Sequence, residues 1–469
     1  MGFPDDHAEM GMQRDDSVFA ERRAVRALSV IVVGAGIGGL AIGLGLRKTG
    51  HNVGEEITEV GAGIQLPPNA TRILRRFGVL EETMRHATVL DRTSLRRWEN
   101  DEELGSIPLA LGVEELFGAP LTVIHRADLQ RILLNAAIGC GCEILKDQQV
   151  LDIDQQFLPY VILLLTQSSR YHVASHANLA VLVRSHGRDI WMSADLVIAA
   201  DGMNSIVRRR MAAINGYPDQ LIPAGESAYR FLLSRKLIQH DGAVMKLLSQ
   251  NQAVRYMGPG GHIMAYPLRD NSLYNVVLVR VGDGTKAQNA SWTTRGRKEE
   301  IIKHYRGWCP AVRGLVGHIP VAGLLETPMN TMPPLPTWVK GQVALAGDAC
   351  HYMFPYVAQG AANAIEDAGT LAMAFTCTDQ IGLALQVYQV VRKDRSEWIQ
   401  ASATNTGRNL HLPDGEEQRR RDETIRAASR GTGENPDQWS DRRSRDFMWR
   451  VDVMAETIAT FESLAAEQG

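Results

Sequence analysis

Three glycines spaced Gly34-x-Gly36-x-x-Gly39 are the first residues in the chain whose pattern implies chemistry. Glycine permits a tight turn and lets the backbone approach a ligand closely, and the start of a following helix attracts negative charge. The pattern therefore suits a pyrophosphate. It is weak alone, but here it follows the β-branched run Leu28–Val33 and precedes a helical pattern, Leu40–Lys48, closed by Gly50. Such a site needs an acid about 20 residues on, at the end of a second strand, to hold a ribose. Glu56 is the first candidate and Glu55 the second. Exposed turn carboxylates are the competing reading, because after His51-Asn52-Val53 almost no apolar strand is left to present an acid.

Two more acids close buried apolar runs. Asp201 follows Ala194–Ala200, and Asp348 follows Gln342–Ala346 and Gly347. Ligands of open α/β sheets sit beyond the carboxyl ends of the strands, where such an acid accepts from a ribose or ribityl hydroxyl. Gly360-Ala361-Ala362 opens another helical pattern, so its backbone N–H groups are free to donate to an anionic acceptor.

The elements that must position these residues fit a chain of 469 residues, long enough for two intertwined domains. Apolar residues make up 45% and charged residues 22%, ordinary values for a globular core. A net charge of −3 argues against a broad basic field for nucleic acid. No apolar run reaches the roughly 18–20 residues of a membrane span. Five cysteines, Cys140, Cys142, Cys309, Cys350 and Cys377, exclude a fully paired disulfide framework and lack metal-ligand spacing, which fits a reducing, cytoplasmic setting and no metal. His172 and His176 stand four apart, but their β-branched surroundings argue against a helix presenting both to a metal. Residues 1–28 are acidic, lack an apolar core and read as a disordered leader rather than a signal peptide. Residues 221–325 are strand-rich; from Ala361 the pattern is helical to about residue 405, and the segment after His411 is polar and charged.

The words VIVVGAGIGG, VGAGIQLPPNATR, HRADLQ, LVIAADGMNSIVR, GPGGHIMAYPLR, LAGDACHYMFPYVAQGAANAIEDA, HLPDG and NPDQW occur in this order between Val30 and Trp439. Together they resemble the single-component FAD-dependent aromatic hydroxylases, the family of salicylate and p-hydroxybenzoate hydroxylases, with fungal members that hydroxylate phenols. The resemblance implies that Gly34, Gly36 and Gly39 hold the FAD pyrophosphate, that Ala62 lies along the cofactor and that Arg126 reaches it. Asp201 would support FAD and the reductant, Asp348 would bind the ribityl chain, and Gly360 and Ala361 would sit beside the flavin ring. Arg230 of SAYRF and Tyr266 of MAYPL match substrate-handling positions. On residue type alone, Arg126 also reads as a helix-start partner of Asp128, and Arg230 and Tyr266 as ordinary strand residues. His262 is a weaker candidate and reads as structural.

The implied fold is α/β: a discontinuous doubly wound FAD-binding domain (29–220 and 326–380), an inserted strand-rich substrate domain (221–325) and a helical C-terminal region (381–469). The implied activity is FAD-dependent monooxygenation. NADH or NADPH reduces the flavin, O2 gives a flavin hydroperoxide, and a small phenolic or salicylate-like aromatic is hydroxylated, in secondary-metabolite biosynthesis. A carboxylate ortho to the substrate hydroxyl would leave as carbon dioxide if its carbon were attacked. An FAD-dependent epoxidase and a non-catalytic flavin-fold homologue are the alternatives; a halogenase is disfavoured by the lack of a W-x-W-x-I-P segment. Two stretches depart from the family pattern. The chain is several residues short between Val53 and Val60, and 155–191 is an anomalous insertion where a short hairpin is expected. Both read as exon-boundary errors, a clipped exon end near Gly54 and a retained intron near 158–180.

Overall fold

The computed structural model describes residues 17–55, 62–110, 112–154, 157, 162–163, 173–174, 179–282, 294–320 and 324–468. The β-branched run Ser29–Val33 lies inside a six-stranded sheet, with Leu196–Ala199 and Val343–Leu345 parallel on one side and Asn52–Glu55 and Glu143–Ile144 on the other. Val33 pairs with Ala199, which in turn pairs with Leu345. The Gly34 turn, Asp201 and Asp348 therefore emerge at one edge of the sheet.

Helix Ile37–Lys48 packs on helix Gly360–Cys377 through small residues: a Cβ on Gly38 would lie 3.1 Å from the Ala364 methyl. Behind this contact lies a fully buried ionic network. Arg392 donates to Asp367 at 2.9 Å and Arg395 to Glu366 at 2.7 Å. Asn69 donates to Glu366 at 2.8 Å, so three helices share one set of satisfied charges. Such a network tolerates burial only while every partner is present.

A three-stranded antiparallel sheet, Gln148–Ile153, Leu179–Ser185 and Arg188–Ala194, lies beside the parallel sheet. Within the expected insertion 155–191, Leu179, Val181 and Val183 of this hairpin alternate into the core; of 155–178 only 157, 162–163 and 173–174 are described. His172 and His176 lie outside the described residues. Of the expected disordered leader, residues 1–16 lie outside the described residues, while Phe19 of the short helix Ser17–Ala20 is buried, its ring 5.5 Å from that of Phe77.

Strand Ile222–Ser234 sits within an eight-stranded sheet with Leu273–Val281, Gly261–Leu268 and Gln252–Gly258. The sheet reaches beyond the expected 221–325. Leu325–Thr331 pairs at one side, and Arg92–Arg97 with Glu103–Pro108 at the other. The run RTSLRR carries no strand-like apolar alternation, and its parallel partner is about 160 residues away, a separation that local patterning does not register. Alternation divides the sheet. Tyr229, Phe231, Tyr256, Ile263 and Leu278 pack against the helices Gly242–Leu248 and Pro310–Gly317. The opposite face carries Ala228, Arg230, His262, Met264 and Tyr266.

The C-terminal region is helical, beginning with the 30-residue helix Ile381–Leu410. Its polar end is packed: Trp439, Met448 and Trp449 are buried, and Arg255 of the sheet pairs with Asp437 at 2.7 Å. Among the described residues no helix is long and apolar enough to cross a membrane.

Candidate functional site

The three glycines do different work. Gly34 has φ +98°, and a Cβ there would lie 2.6 Å from the Ala200 carbonyl oxygen. A Cβ on Gly39 would meet the Gly34 oxygen at 1.8 Å. These two pack turn, strand and helix together. Gly36, at the N-cap of helix Ile37–Lys48, has open space where its Cβ would stand. That open concavity, at the positive end of a helix, is shaped to receive phosphate oxygens.

Asp201 lies beside Gly34. One carboxylate oxygen accepts from the Ile206 N–H at 2.8 Å, while Oδ1 is buried without a partner. Burial raises its pKa. Asp348 follows Gly347, whose φ of +61° and hydrogen bond to Asp367 (2.8 Å) fix the turn. The Asp348 carboxylate makes no hydrogen bond among the described residues, and burial raises its pKa against the opposing effects of His351 and Arg126. Gly360 and Ala361 open helix Gly360–Cys377, and a Cβ on Gly360 would meet nothing. The N-cap residue Gln359 is buried with its amide nitrogen unpartnered.

Ala62 and Arg126 meet through the backbone: the Arg126 N–H donates to the Ala62 carbonyl at 2.8 Å. The Arg126 guanidinium is exposed at the start of helix Arg126–Gly139 and makes no ion pair among the described residues. The competing Arg126–Asp128 pair does not form. Asp128 takes Arg269 instead, at 3.0 Å. Glu56, the first ribose candidate, lies outside the described residues. Glu55 ends the short strand Asn52–Glu55. A cavity of about 340 Å³ adjoins that strand, lined by Val32, Val53, Glu143, Val150, Val183 and Met192 among others.

Arg230 and Tyr266 stand on one face of the eight-stranded sheet. Arg230 pairs with Val277 and Val277 with Met264, two residues from Tyr266. Arg230 is half-buried, and its guanidinium makes no hydrogen bond or ion pair among the described residues. Burial lowers its pKa; the hydroxyls of Tyr352 and Tyr266 favour its charge, and Arg126 opposes it. Tyr266 is buried, which raises its pKa, with Arg230 acting against the shift. The Tyr266 ring packs against Gly63, where a Cβ would lie 2.9 Å away. The result is a half-buried cation without a counter-charge among the described residues, bordered by phenol hydroxyls.

Sequence reasoning passed over two residues here. Burial, aided by Asp348, pushes the Tyr352 hydroxyl up to about 12, and Tyr352 lies within electrostatic reach of both Asp348 and Arg230. Its signal was its place inside the word LAGDACHYMFPY. Asn275 accepts from the Gly63 N–H at 2.9 Å and ties strand Gly63–Leu66 to the large sheet; nothing local to its sequence marks it. Cys350, His351 and Asp367 lie close enough together to face one ion. However, Asp367 is already engaged by His351 at 2.7 Å, by the Gly347 N–H and by Arg392, so these donors serve the buried network.

Residues 27–380 match the FAD binding domain family. FAD-dependent monooxygenase atnJ of Arthrinium sp is 34% identical over 87% of this chain and 91% of its own. The chain belongs to the family of FAD-dependent monooxygenases. A second family member, 3-hydroxybenzoate 6-hydroxylase of Polaromonas naphthalenivorans (strain CJ2), is 31% identical over 82% of this chain and 88% of its own. The fold is also that of a salicylate hydroxylase solved as a substrate complex, with a TM-score of 0.71, 24% identity, and 92% of this chain and 98% of that one covered. The cofactor of the family is FAD, and the residues present fit it. The open space at Gly36, the unpartnered Asp201 oxygen and the unengaged Asp348 carboxylate line one edge of the sheet, as an extended dinucleotide requires.

Proposed function

We propose that this monooxygenase hydroxylates a small phenolic or salicylate-like aromatic, using NADH or NADPH and O2, in secondary-metabolite biosynthesis. The observation that carries this reading is Arg230, a half-buried cation with no protein counter-charge, on the same face as Tyr266. A half-buried guanidinium without a counter-charge is best satisfied by an anionic ligand, and a phenolate or carboxylate supplies that with charge-assisted hydrogen bonds. Tyr266 holds the substrate hydroxyl or relays its proton; its raised pKa keeps it a donor at neutral pH. Removing the phenolic proton makes the ring a better nucleophile, and Arg230 stabilises the charge that results.

FAD, when bound, takes a hydride from the nicotinamide and activates O2 for transfer of one oxygen atom. The chain's part is to hold and enclose it. The turn that Gly34 and Gly39 shape and the open space at Gly36 cradle the pyrophosphate, Ala62 and Arg126 line the cofactor, and Asp348 accepts from the ribityl chain. Asp201 supports the cofactor and the approach of the reductant, Glu56 takes the ribose, and the N–H groups at Gly360 and Ala361 face the flavin edge. Packing of the large sheet against the cofactor domain excludes water from the reacting ring.

The test is the visible spectrum of the purified protein, followed by NADH or NADPH with a panel of phenolic acids. Bound flavin that bleaches faster with one phenol, with a hydroxylated product, supports the reading. Flavin that is reduced at one rate whatever aromatic is present overturns it.

A further inference from the structure

The word HLPDG and the buried groups around its histidine have no part in the scheme above. His411 caps the C-terminal end of helix Ile381–Leu410 and reaches Glu226 of the large sheet, Nδ1 to Oε1 at 3.3 Å. Its other ring nitrogen lies 2.7 Å from Nδ1 of His262, and the two rings stack. The second Glu226 oxygen accepts from the Tyr356 hydroxyl. A β-bulge aims Glu226: the register with Leu325–Thr331 shifts between Pro223 and Glu226, beside Gly225 at φ +71°. From Glu226 onward the alternation places Glu226, Ala228 and Arg230 on one face.

The segment 352–358 is gripped on several sides. Arg255 donates to the Tyr356 carbonyl at 3.0 Å, and Gln400 donates to the Tyr352 carbonyl at 2.8 Å. Gly407 leaves room for the Tyr356 ring, where a Cβ would lie 2.5 Å away. Gln400, Gly407 and His411 follow one face of a single helix, at i, i+7 and i+11. Ala358 closes the segment at φ +53°, a conformation a non-glycine residue holds only when its surroundings impose it. This segment joins Tyr352 to the Gly360 helix start.

We propose that Glu226 is a positioning residue of the substrate pocket: its carboxylate, backed by His411, fixes the Tyr356 hydroxyl and with it the segment that sets Tyr352 against Arg230. The proposal rests on Arg230 as the residue that receives the substrate anion. The low pKa of Glu226, which its hydrogen bond from His411 maintains against burial, keeps both oxygens as acceptors.

The experiment compares wild-type holoenzyme with Glu226→Ala, Glu226→Gln and Tyr356→Phe. Tyr356→Phe removes one hydroxyl and keeps the ring packed against Gly407. Amide exchange of 352–358 is read by mass spectrometry, with 29–48 as the internal reference, and salicylate is titrated against the flavin spectrum. Glu226→Ala and Tyr356→Phe speed exchange in 352–358 alone and weaken salicylate binding about tenfold. Glu226→Gln, which still offers Tyr356 an acceptor, restores part of both. Unchanged exchange overturns the proposal. So does faster exchange with unchanged salicylate affinity, since the contact is then structural only. A wild-type enzyme that retains flavin but ignores salicylate and 3-hydroxybenzoate overturns the substrate reading instead, and the exchange comparison then decides the proposal alone.

Discussion

At the carboxyl ends of Ser29–Val33 and Leu196–Ala199 each backbone approach is tight, with Gly34 against Ala200 and Gly39 against the Gly34 oxygen. One strand away, Asn52–Glu55 spans four residues, and a cavity of about 340 Å³ adjoins it. Both regions belong to one sheet and serve one cofactor. On our reading the pyrophosphate and ribityl end is complete, while the strand expected to present the ribose acid is short by several residues.

The largest effect comes from disturbing the complete end. Gly39→Ala sets a methyl against a backbone oxygen that no side-chain movement can clear, and we expect a loss of roughly 4 kcal/mol or outright misfolding. Urea unfolding of the variant measures it; a midpoint within experimental scatter of wild type would mean that the turn is looser than its contacts imply.

Next in size is repair of the incomplete end. The transcript is expected to carry additional codons between Val53 and Val60 and to lack the stretch near 158–180. The protein it encodes should bind FAD at least about tenfold more tightly, because a full second strand then holds the ribose acid in place and fills the cavity. Sequencing the message and titrating flavin into both proteins checks this. A message that reads as the chain does here would make the short strand native.

Gly36→Ala sharpens the comparison from the other side. Its methyl meets no protein atom, so stability should move by less than about 0.5 kcal/mol. The same methyl enters the space reserved for phosphate, and flavin affinity should fall about tenfold. Thermal melts of the flavin-free protein and a flavin titration separate the two effects. Equal losses in both would assign Gly36 to packing, like its neighbours.

What was legible beforehand follows the range of the interactions involved. Gly34, Gly36, Gly39, Asp201 and Asp348 announce themselves because turn, strand and helix are contiguous in the chain. Arg230 and Tyr266 carry no local signal; their pairing depends on register across Leu273–Val281, and only family resemblance pointed to them. Glu226 was invisible because a bulge aims it and its partners arrive from residues 356 and 411. The Arg92–Arg97 strand was missed because its side chains do not alternate, and the buried Arg392 network because charged residues on a helix ordinarily face water.

The smallest effect tests whether the complete end holds its cost in reserve for the cofactor. Burial lifts the Asp348 carboxyl above its ordinary 3.8, and no donor in the described chain offsets it. The folded protein therefore keeps this proton to higher pH than the unfolded chain does. Stability from the protonated form is full below pH 3.8 and is lost as pH rises through the folded-state value. Above that value the flavin-free protein carries a charged carboxylate with no hydrogen bond among the described residues, and there Asp348→Asn should stabilise it by about 1 kcal/mol while weakening flavin binding. The gain should disappear below pH 4. A variant that is less stable than wild type at pH 7 would show that the carboxylate already has a partner in solution, and the site would then be preorganised by the protein rather than completed by the flavin.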